Sequence, residues 1–464
     1  MNEKLLYLAN KLPLTIKKPL RHLYGAIPPS MRYGKTFWET FKFLQESQWW
    51  SREKLEEYQM QQLTKLLNQA YQNVPYYTKI FDERGLKPKN IQNINDLSKL
   101  PYLTKDDFRN HFCDLVARNV TIKNLPLSHT SGTSGKPLQF YTSQVIGQKE
   151  LAFIFHQWSR VGYTPESSRV EIRGSIINRG NPAEYNPITK VLRLSPRISD
   201  EGIAKYYLDR INRFNTKFIH GYPSAIASFA HTIKKHSLDV SFQLKAVLFA
   251  SEVVYDWERE LVCEVFKCRV FSHYGMAEQV VLAAECETSS HYHCLPQYGI
   301  TELDPQTHEI IGTGFLNDIT PLIRYRTTDV ASGEISHCGS CKRAYYPVFE
   351  KVEGRFEDYI ITTQGLISPA IITHPFKDLK TIKNTQIVQK SLYLIILRIV
   401  LWDEKEFTSS EIEIKRLIQD LKKILGDDMI IEIEVKKEIE TTVSGKFKWI
   451  ISDISNNMLK NGLS

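Results

Sequence analysis

The sequence predicts an α/β fold, with a large N-terminal α/β domain of mostly parallel sheets and a small α+β C-terminal domain. Between about residues 125 and 330, short apolar runs alternate with amphipathic stretches, as in 218–220, 225–235 and 246–250. This βαβ rhythm is typical of a parallel sheet with helices on its faces. The apolar faces that follow from about residue 358 are numerous enough to form a separate core.

Length and composition agree with a multidomain globular protein. The chain has 464 residues, of which 42% are hydrophobic and 24% charged, so a disordered or fibrous class is excluded. The net charge of +8 is spread along the chain, which argues against a dedicated nucleic-acid binder and agrees with an anionic substrate. Seven cysteines without compact disulfide spacing favour a reducing, cytoplasmic setting. The longest apolar runs are too short to span a bilayer.

Three segments are predicted: a basic N-terminal segment at 1–35, an N-terminal domain at 36–356 and a C-terminal domain at 357–464. In the first segment, lysines alternate with leucine and isoleucine over residues 1–24. One interpretation is a peripheral contact with a membrane or a partner, and the other is a packed or loosely ordered segment. No signal-peptide pattern is apparent there.

Apolar periodicity places the main helices and strands. Residues 37–80 repeat apolar side chains at helical spacing, and Pro75 interrupts that pattern. Near the C-terminus, Ser409 and Ser410 are predicted to cap a helix that Gly426 ends in the left-handed conformation. The alternation of isoleucine with glutamate over 431–435 predicts a half-buried strand.

A loop rich in glycine and hydroxyl groups is the most informative motif. Its backbone amides, hydroxyls and single lysine are the groups that bind a polyphosphate, although the spacing is not that of a P-loop. A flexible serine and glycine turn is the alternative. The residues concerned are Ser131, Gly132, Thr133, Ser134, Gly135 and Lys136.

This loop resembles the phosphate-binding signature of the adenylate-forming superfamily, which includes acyl-CoA synthetases and luciferases. Further segments resemble the family's motifs in the same order: 250–253, 274–278, 325–329, 354–358 and 444–446. Residues 74–77 and 100–105 are similar to the phenylacetate-CoA ligase branch. Residues 221–224 and 444–449 resemble CapK-type proteins of capsular polysaccharide biosynthesis. The resemblance covers nearly the whole chain except residues 1–35.

The resemblance implies an ATP-dependent ligase that converts a carboxylic acid to an acyl-AMP. Domain 36–356 would bind ATP and the acid, and domain 357–464 would be mobile. Glu278 would hold Mg²⁺, Asp329 would accept hydrogen bonds from the ribose, and Arg355 would donate to ribose or phosphate. The other residues implied to bind the nucleotide are Ser251, Glu252, Tyr274, Gly275 and Met276.

The catalytic lysine implied by the resemblance is Lys446, which directly follows a glycine as in the matched motif. Lys448 is a competitor, since residues two apart share one face of a strand. Glu357 is the implied hinge of the mobile domain. Two residues depart from the family pattern: Thr328 stands in place of glycine, and Glu357 in place of aspartate.

Cysteine and histidine spacing predicts a structural Zn²⁺ site. Cys338 and Cys341 form a C-x₂-C pair, and Cys286 is followed by six residues and His293. Four such ligands suit tetrahedral zinc. Cys294 is the alternative to His293, and free thiols are the alternative to a metal. His129 and His220 flank candidate loops, where each would line an acid pocket or serve a structural role.

Three functions remain open at this point. The acyl group would pass to a thiol such as that of CoA, or to an amine in surface-polysaccharide synthesis. An aryl-CoA ligase of the phenylacetate type is the alternative. A non-catalytic nucleotide-binding scaffold is a further alternative, although it has no chemical need for Lys446, Glu278 and Asp329 together. The identity of the acid is not readable from the sequence.

Overall fold

The fold is that of a computed structural model, which describes most of the chain. The described residues are 25, 27–129, 138–173, 182–196, 198, 200–339, 341–343, 345–355, 358–363, 365–367, 372, 374–376, 379, 381–402, 407–439 and 448–454. None of the helices in these ranges is long and apolar enough to cross a membrane.

Ten α-helices are described, and local sequence signals explain where several begin or end. The region 37–80 forms three helices rather than one, because Ser51 caps the second helix and Pro75 starts the third. The helices are α1 Pro29–Arg32, α2 Lys35–Ser47, α3 Arg52–Asn73, α4 Pro75–Glu83, α5 Lys105–Asn110, α6 Gln144–Trp158, α7 Glu201–Phe214, α8 Pro223–Lys235, α9 Asp256–Phe266 and α10 Phe407–Leu425.

The largest sheet has ten strands in the order β14-β15-β10-β9-β8-β7-β6-β3-β5-β4. Its strands are β3 Arg169–Ile172, β4 Ala183–Asn186, β5 Val191–Leu194, β6 Phe218–Gly221, β7 Ala246–Ala250, β8 Arg269–Gly275, β9 Leu282–Glu285, β10 Tyr292–Cys294, β14 Ser336–His337 and β15 Pro347–Phe349.

The parallel strands are concentrated in one part of this sheet. Strands β5, β3, β6, β7 and β8 pair in parallel, and the other pairs are antiparallel. The α/β class is therefore confirmed, and the sheet as a whole is mixed. The carboxyl ends of the parallel strands form one edge, which is where ligands bind in open α/β sheets.

Two smaller sheets complete the part of the chain before residue 356. A two-stranded sheet pairs β1 Leu127–His129 with β2 Gln139–Tyr141. A four-stranded antiparallel sheet follows the order β11-β12-β13-β16, and an apolar core joins it to α3, α4 and the edge of the large sheet. Its strands are β11 Gly299–Leu303, β12 Glu309–Gly314, β13 Tyr325–Ala331 and β16 Val352–Arg355.

The C-terminal part has its own sheet and its own apolar core, which α10 covers. The sheet order is β21-β20-β19-β22, and a hairpin of β17 Ile360–Thr362 and β18 Gly365–Ile367 precedes it. Its strands are β19 Ile382–Ser391, β20 Leu394–Leu401, β21 Ile430–Val435 and β22 Ile450–Ser452.

One predicted helix start is wrong. Helix α10 begins at Phe407, so Ser409 and Ser410 lie inside its first turn and do not cap it. The helix ends before Gly426, which has φ +102°, as the sequence predicts. In this conformation a residue with a side chain would be strained.

Candidate nucleotide and acid site

Asp329 is the centre of the predicted nucleotide-binding residues. It lies on β13, directly opposite Arg355 of β16 in the strand register. Arg355 Nε is 3.1 Å from Asp329 Oδ1, and the Tyr274 hydroxyl donates to Asp329 Oδ2 at 2.8 Å. Burial, and then the negative charge of Asp329, raise the pKa of Tyr274 well above its ordinary value. The phenol therefore stays protonated and remains a hydrogen-bond donor.

Glu278 lies close to this group, in the turn after β8. Its Oε1 accepts a hydrogen bond from the hydroxyl of Tyr325 at 3.1 Å. Tyr325 is fully buried in β13, so it fixes the position of the Glu278 carboxylate. Carboxylate oxygens are the ligands that Mg²⁺ prefers, so the chemistry of the Glu278 side chain suits the predicted magnesium ligand. Gly275 ends β8 and Met276 follows it, so both lie between Tyr274 and Glu278 in the chain.

Ser251 and Glu252 follow the carboxyl end of β7. Ser251 has φ +73°, which turns the chain sharply after the strand. Glu252 Oε2 accepts hydrogen bonds from the backbone nitrogen and the hydroxyl of Ser224, at 3.3 and 2.7 Å. Ser224 lies in the first turn of α8, so Glu252 is held at the amino end of that helix.

Thr328 adopts the conformation that glycine would otherwise provide. Its φ is +68°, in the left-handed region. Lys105 Nζ donates to Thr328 Oγ1 at 2.6 Å, and the backbone nitrogen of Thr328 donates to Glu309 at 2.8 Å. These bonds offset the strain of a β-branched residue in this conformation. The turn before Asp329 thus accepts a side chain.

Several predicted residues lie outside the described ranges. Lys446 and Glu357 are among them, as are all six loop residues: Ser131, Gly132, Thr133, Ser134, Gly135 and Lys136. Lys448, the competitor of Lys446, is described. Its Nζ is 3.6 Å from Asp358 Oδ1, so an ion pair links it to the start of the C-terminal part.

The predicted zinc ligands come together. The ligand atoms of Cys286, His293, Cys338 and Cys341 all lie within 4.8 Å of one another. Cys286 Sγ is 3.9 Å from Cys338 Sγ, and Cys341 Sγ is 3.5 Å from His293 Nε2. With Zn–S bonds of about 2.3 Å, tetrahedral zinc separates two sulfur ligands by about 3.8 Å. The four residues therefore fit a structural Zn²⁺.

Cys294 does not belong to this group. Neighbouring residues of a strand point to opposite faces, and His293 and Cys294 are neighbours in β10. Cys294 is buried in an apolar core together with Tyr292, which also lies on that face. Burial raises the pKa of the Cys294 thiol to about 12, so a neutral thiol packs there. Among the described residues, His293 is the ligand that completes the group.

A second polar group lies at the same edge of the large sheet, and sequence analysis anticipated only His220 of it. Arg173 directly follows β3, and its Nη1 is 2.9 Å from His220 Nε2 in β6. His273 of β8 lies nearby, with its ring centroid 6.2 Å from that of His220. A charged residue at the carboxyl end of a buried strand is the signal that would have identified Arg173.

Close approach of two strands brings Arg173 and His220 together. The backbone of β6 passes so near to β3 that a Cβ on Gly221 would lie 2.2 Å from the carbonyl oxygen of Ile172. Only glycine fits at this position. Gly221 therefore sets the spacing of the two strands that carry the histidine and the arginine.

Comparisons with known proteins agree with these features. A family model described as the CapK C-terminal domain matches residues 360–453. Protein CapK of Staphylococcus aureus is 24% identical over 97% of this chain and 99% of its own length. The chain is therefore similar to CapK over nearly its whole length. The phenylacetate-coenzyme A ligase of Pseudomonas putida is 24% identical to this chain, over 71% of the chain and 77% of the ligase.

A solved structure shows that the chain shares its fold with a CoA ligase. The structure is that of 2-hydroxyisobutyryl-CoA ligase in the postadenylation state, in complex with R3-HIB-AMP. It matches with a TM-score of 0.68 at 15% identity, over 88% of this chain and 92% of the ligase. The family resemblance and the fold class predicted from the sequence are both confirmed.

Proposed function

We propose that this protein activates a carboxylic acid with ATP and passes the acyl group to a thiol or an amine. In the first step a carboxylate oxygen attacks the α-phosphorus of ATP, so that an acyl-AMP forms and pyrophosphate leaves. The observation that carries this proposal is Asp329 of β13, which Tyr274 and Arg355 hold in place on the same strand whose Tyr325 binds Glu278. An in-line displacement needs this kind of positioning and charge neutralisation more than covalent help.

Each residue of this group has a proposed role toward the nucleotide. The Asp329 carboxylate accepts hydrogen bonds from the ribose hydroxyls, the Tyr274 ring borders the adenine, and Arg355 donates to ribose or phosphate. Glu278 would hold Mg²⁺, which neutralises phosphate charge when it is bound. Loop residues 131–136 would donate hydrogen bonds to the β- and γ-phosphates. Ser251, Glu252, Gly275 and Met276 would line the adenine side.

The C-terminal part, proposed as a mobile domain at 357–464, would supply Lys446 to the first step. The ammonium group of Lys446 would stabilise the negative charge that develops between the substrate carboxylate and the α-phosphate. Glu357 would be the hinge that carries the lysine away before the second step. Aromatic contacts between the two parts support a definite docked position. Trp449 lies 5.6 Å from Tyr255, and Trp402 stacks on His231 at 4.5 Å.

Zinc has a structural role in this proposal. The four ligands leave no open position for a substrate, and they tie β9 and β10 to the segment after β14. A closed tetrahedral site stabilises the loops that supply its ligands. Zinc is therefore proposed to brace the outer edge of the large sheet, away from the adenylation chemistry.

The biological context is proposed from the motif resemblance, and the acceptor from that resemblance and the relatives. Residues 221–224 and 444–449 resemble CapK-type proteins, which fits surface-polysaccharide synthesis, in which an amine on a sugar or amino acid would take the acyl group. The similarity to a phenylacetate-coenzyme A ligase favours the thiol of CoA as the acceptor. An aryl-CoA ligase is therefore the second candidate function. A cytoplasmic setting would supply both ATP and CoA. Residues 1–24 are proposed to make any peripheral contact with a membrane or a partner.

Pyrophosphate exchange across a panel of carboxylic acids tests the proposed reaction. The wild-type protein with ATP, Mg²⁺ and the correct acid should exchange labelled pyrophosphate into ATP. Asp329→Asn should lower this exchange on the order of 10- to 100-fold, because a charge-assisted hydrogen bond to the nucleotide is lost. Asp318→Asn removes the charge of an exposed carboxylate and should leave exchange unchanged.

Two results would contradict the proposal. Absence of exchange with every acid in the panel would favour the non-catalytic scaffold. Equal exchange by wild type and Asp329→Asn would place the nucleotide elsewhere in the chain. With an active acid in hand, parallel reactions with CoA and with amines identify the acceptor, because only one should form an acyl product at the rate of AMP release.

A further inference from the structure

The second polar group, formed by Arg173, His220 and His273, indicates how the acid substrate is bound, and this inference rests on the proposed function. His273 and Tyr274 are consecutive in β8 and therefore point to opposite faces of the strand. Tyr274 faces the proposed nucleotide residues, whereas His273 faces the side of Arg173 and His220. Arg173 therefore lies on the opposite side of β8 from the proposed nucleotide residues. The far end of an acid substrate would extend to that side while its carboxylate meets the nucleotide.

Hydrogen bonds fix the state of His220. Its Nδ1 is 2.9 Å from the carbonyl oxygen of Leu248, which can only accept, so Nδ1 carries the proton. Nε2 is therefore the acceptor for Arg173 Nη1 at 2.9 Å. Burial, and then the positive charge of Arg173, lower the pKa of His220 well below its ordinary value. His220 consequently stays uncharged and orients the guanidinium without neutralising it.

Arg173 also has more positive charge around it than negative charge. The carboxylate on its own strand, Glu171, lies 2.8 Å from Arg169 Nη2 and 3.4 Å from Arg193 Nε. Within the described ranges, no carboxylate lies within 4.0 Å of Arg173. The sequences 130–137 and 174–181 contain no aspartate or glutamate. Arg173 is partly exposed, and its charge also acts on Glu171. Because Glu171 is already paired with two other arginines, the Arg173 guanidinium still has positive charge to offer to a ligand.

The walls beside Arg173 are aromatic and uncharged. The buried Trp158 ring lies 4.8 Å from His220, and its Nε1 donates to His273 Nδ1 at 3.4 Å. His273 Nε2 therefore carries the proton and can donate. Burial, and then Arg173, lower the pKa of His273 to about 3, so this ring is neutral at physiological pH. Arg173 therefore lies among neutral donors and aromatic rings, and a second cation, Arg169, lies 5.3 Å from the centroid of the Trp158 ring. Arg169 is itself paired with Glu171, which leaves Arg173 as the cation available to a ligand.

We propose that the acid substrate carries a second anionic group, and that Arg173 binds this group while the reacting carboxylate reaches the α-phosphate. His220 acts as a positioning residue for the guanidinium. The substrate class is a carboxylic acid with a second carboxylate or a phosphate at its far end. A planar guanidinium with unpaired N–H groups binds both kinds of anionic oxygen.

Isothermal titration calorimetry on the full chain tests the site independently of turnover. The probes are matched in length: pentanoate with glutarate and 4-phosphonobutyrate, and phenylacetate with 4-carboxyphenylacetate. The wild type should bind the dianionic members about 10- to 100-fold more tightly than the monoanionic ones. Glutarate and 4-phosphonobutyrate distinguish a carboxylate from a phosphate as the preferred second group.

Three variants identify the residue responsible. Arg173→Gln should abolish the preference for dianions, and Arg173→Lys should restore part of it. Arg193→Gln is the matched control, because it removes an arginine charge from the adjacent strand at a more exposed side chain and should keep the preference. A preference that survives in Arg173→Gln, or a wild type that binds both members of each pair equally or neither, would overturn the inference.

Pyrophosphate exchange with the same acids separates this inference from the proposed function. Exchange driven by monoanionic acids alone would overturn the inference and leave the proposed function standing. Binding of dianions that depends on Arg173, without exchange by any acid, would overturn the proposed function and leave the anion site standing. Exchange driven preferentially by the dianions would support both.

Discussion

The hydroxyl of Tyr274 lies 2.8 Å from Asp329 Oδ2, and this single hydrogen bond joins two different sheets. Tyr274 is the penultimate residue of β8 in the ten-stranded sheet, whereas Asp329 lies on β13 of the four-stranded sheet. The residues predicted to bind the nucleotide therefore come from two sheets. Arg355 completes the group from β16, the strand next to β13.

Removal of this hydroxyl should weaken nucleotide binding. We expect Tyr274→Phe to raise the KM for ATP roughly five- to tenfold and to leave kcat nearly unchanged, because one hydrogen bond to Asp329 is lost while the ring remains. Pyrophosphate exchange at varied ATP concentration measures both constants. Tyr185→Phe, at an exposed tyrosine of β4, is the control. A fall in kcat at constant KM would instead assign the hydroxyl to the chemical step.

Freshly purified protein should contain about one zinc ion per chain, held by the four ligands that lie together. A metal present at about a thousand times its Kd stabilises the folded state by about 4 kcal/mol. Cys338→Ser should therefore lose zinc and lower the unfolding free energy by a similar amount. Elemental analysis and thermal denaturation measure the two effects.

Two further cysteines serve as controls for the zinc site. Cys294→Ser should retain zinc, because that side chain lies on the other face of β10. Cys113→Ser, at an exposed cysteine, should also retain zinc. If the purified protein contains no metal and Cys338→Ser is as stable as the wild type, the four side chains do not form a zinc site.

Lys446 should serve adenylation and be nearly dispensable for acyl transfer. We expect Lys446→Ala to slow pyrophosphate exchange on the order of 10²–10³-fold, since a preorganised positive charge at the transition state is lost. A supplied acyl-adenylate should still react with the acceptor at a nearly normal rate. Lys448→Ala is the control at the nearby lysine. It should keep most of the pyrophosphate exchange, because the Lys448 ammonium group of the wild type pairs with Asp358. The reverse pattern would assign the role to Lys448.

Glu357 should matter more for the second step than for the first. Glu357→Pro restricts backbone rotation at the proposed hinge, so we expect transfer from a supplied acyl-adenylate to fall several-fold more than pyrophosphate exchange. Glu357→Ala separates the loss of the carboxylate from the loss of rotation, and it should preserve both steps. Equal losses of both steps in the proline variant would argue against a hinge at this residue.

Local sequence signals predicted much of the fold, and the failures have physical reasons. Pro75 and Gly426 act through their own backbone preferences, so their effects are readable in isolation. Ser409 and Ser410 are of a residue type that commonly caps helices, but the helix starts before them, at Phe407. Hydrophobic periodicity identifies strands without giving their direction, so the antiparallel part of the large sheet was not apparent.

Motif order singled out Asp329, Arg355 and Glu278, because they belong to segments that can be matched one at a time, and their role in nucleotide binding stays a prediction. Cysteine spacing likewise predicted which side chains would meet. Arg173 belongs to no motif, and its significance comes from His220, which is 47 residues away in the chain. A pair of this kind depends on the parallel register of β3 and β6. Only the three-dimensional structure reveals it.

The contact at Gly221 has a consequence for attempts to redesign the enzyme. The distance between β3 and β6 is fixed by backbone against backbone, since no Cβ fits between Gly221 and Ile172. Changing the side chains around Arg173 and His220 therefore leaves this main-chain contact between their strands untouched. A mutant library that varies these residues should keep glycine at position 221, because any larger residue there has to push β6 away from β3.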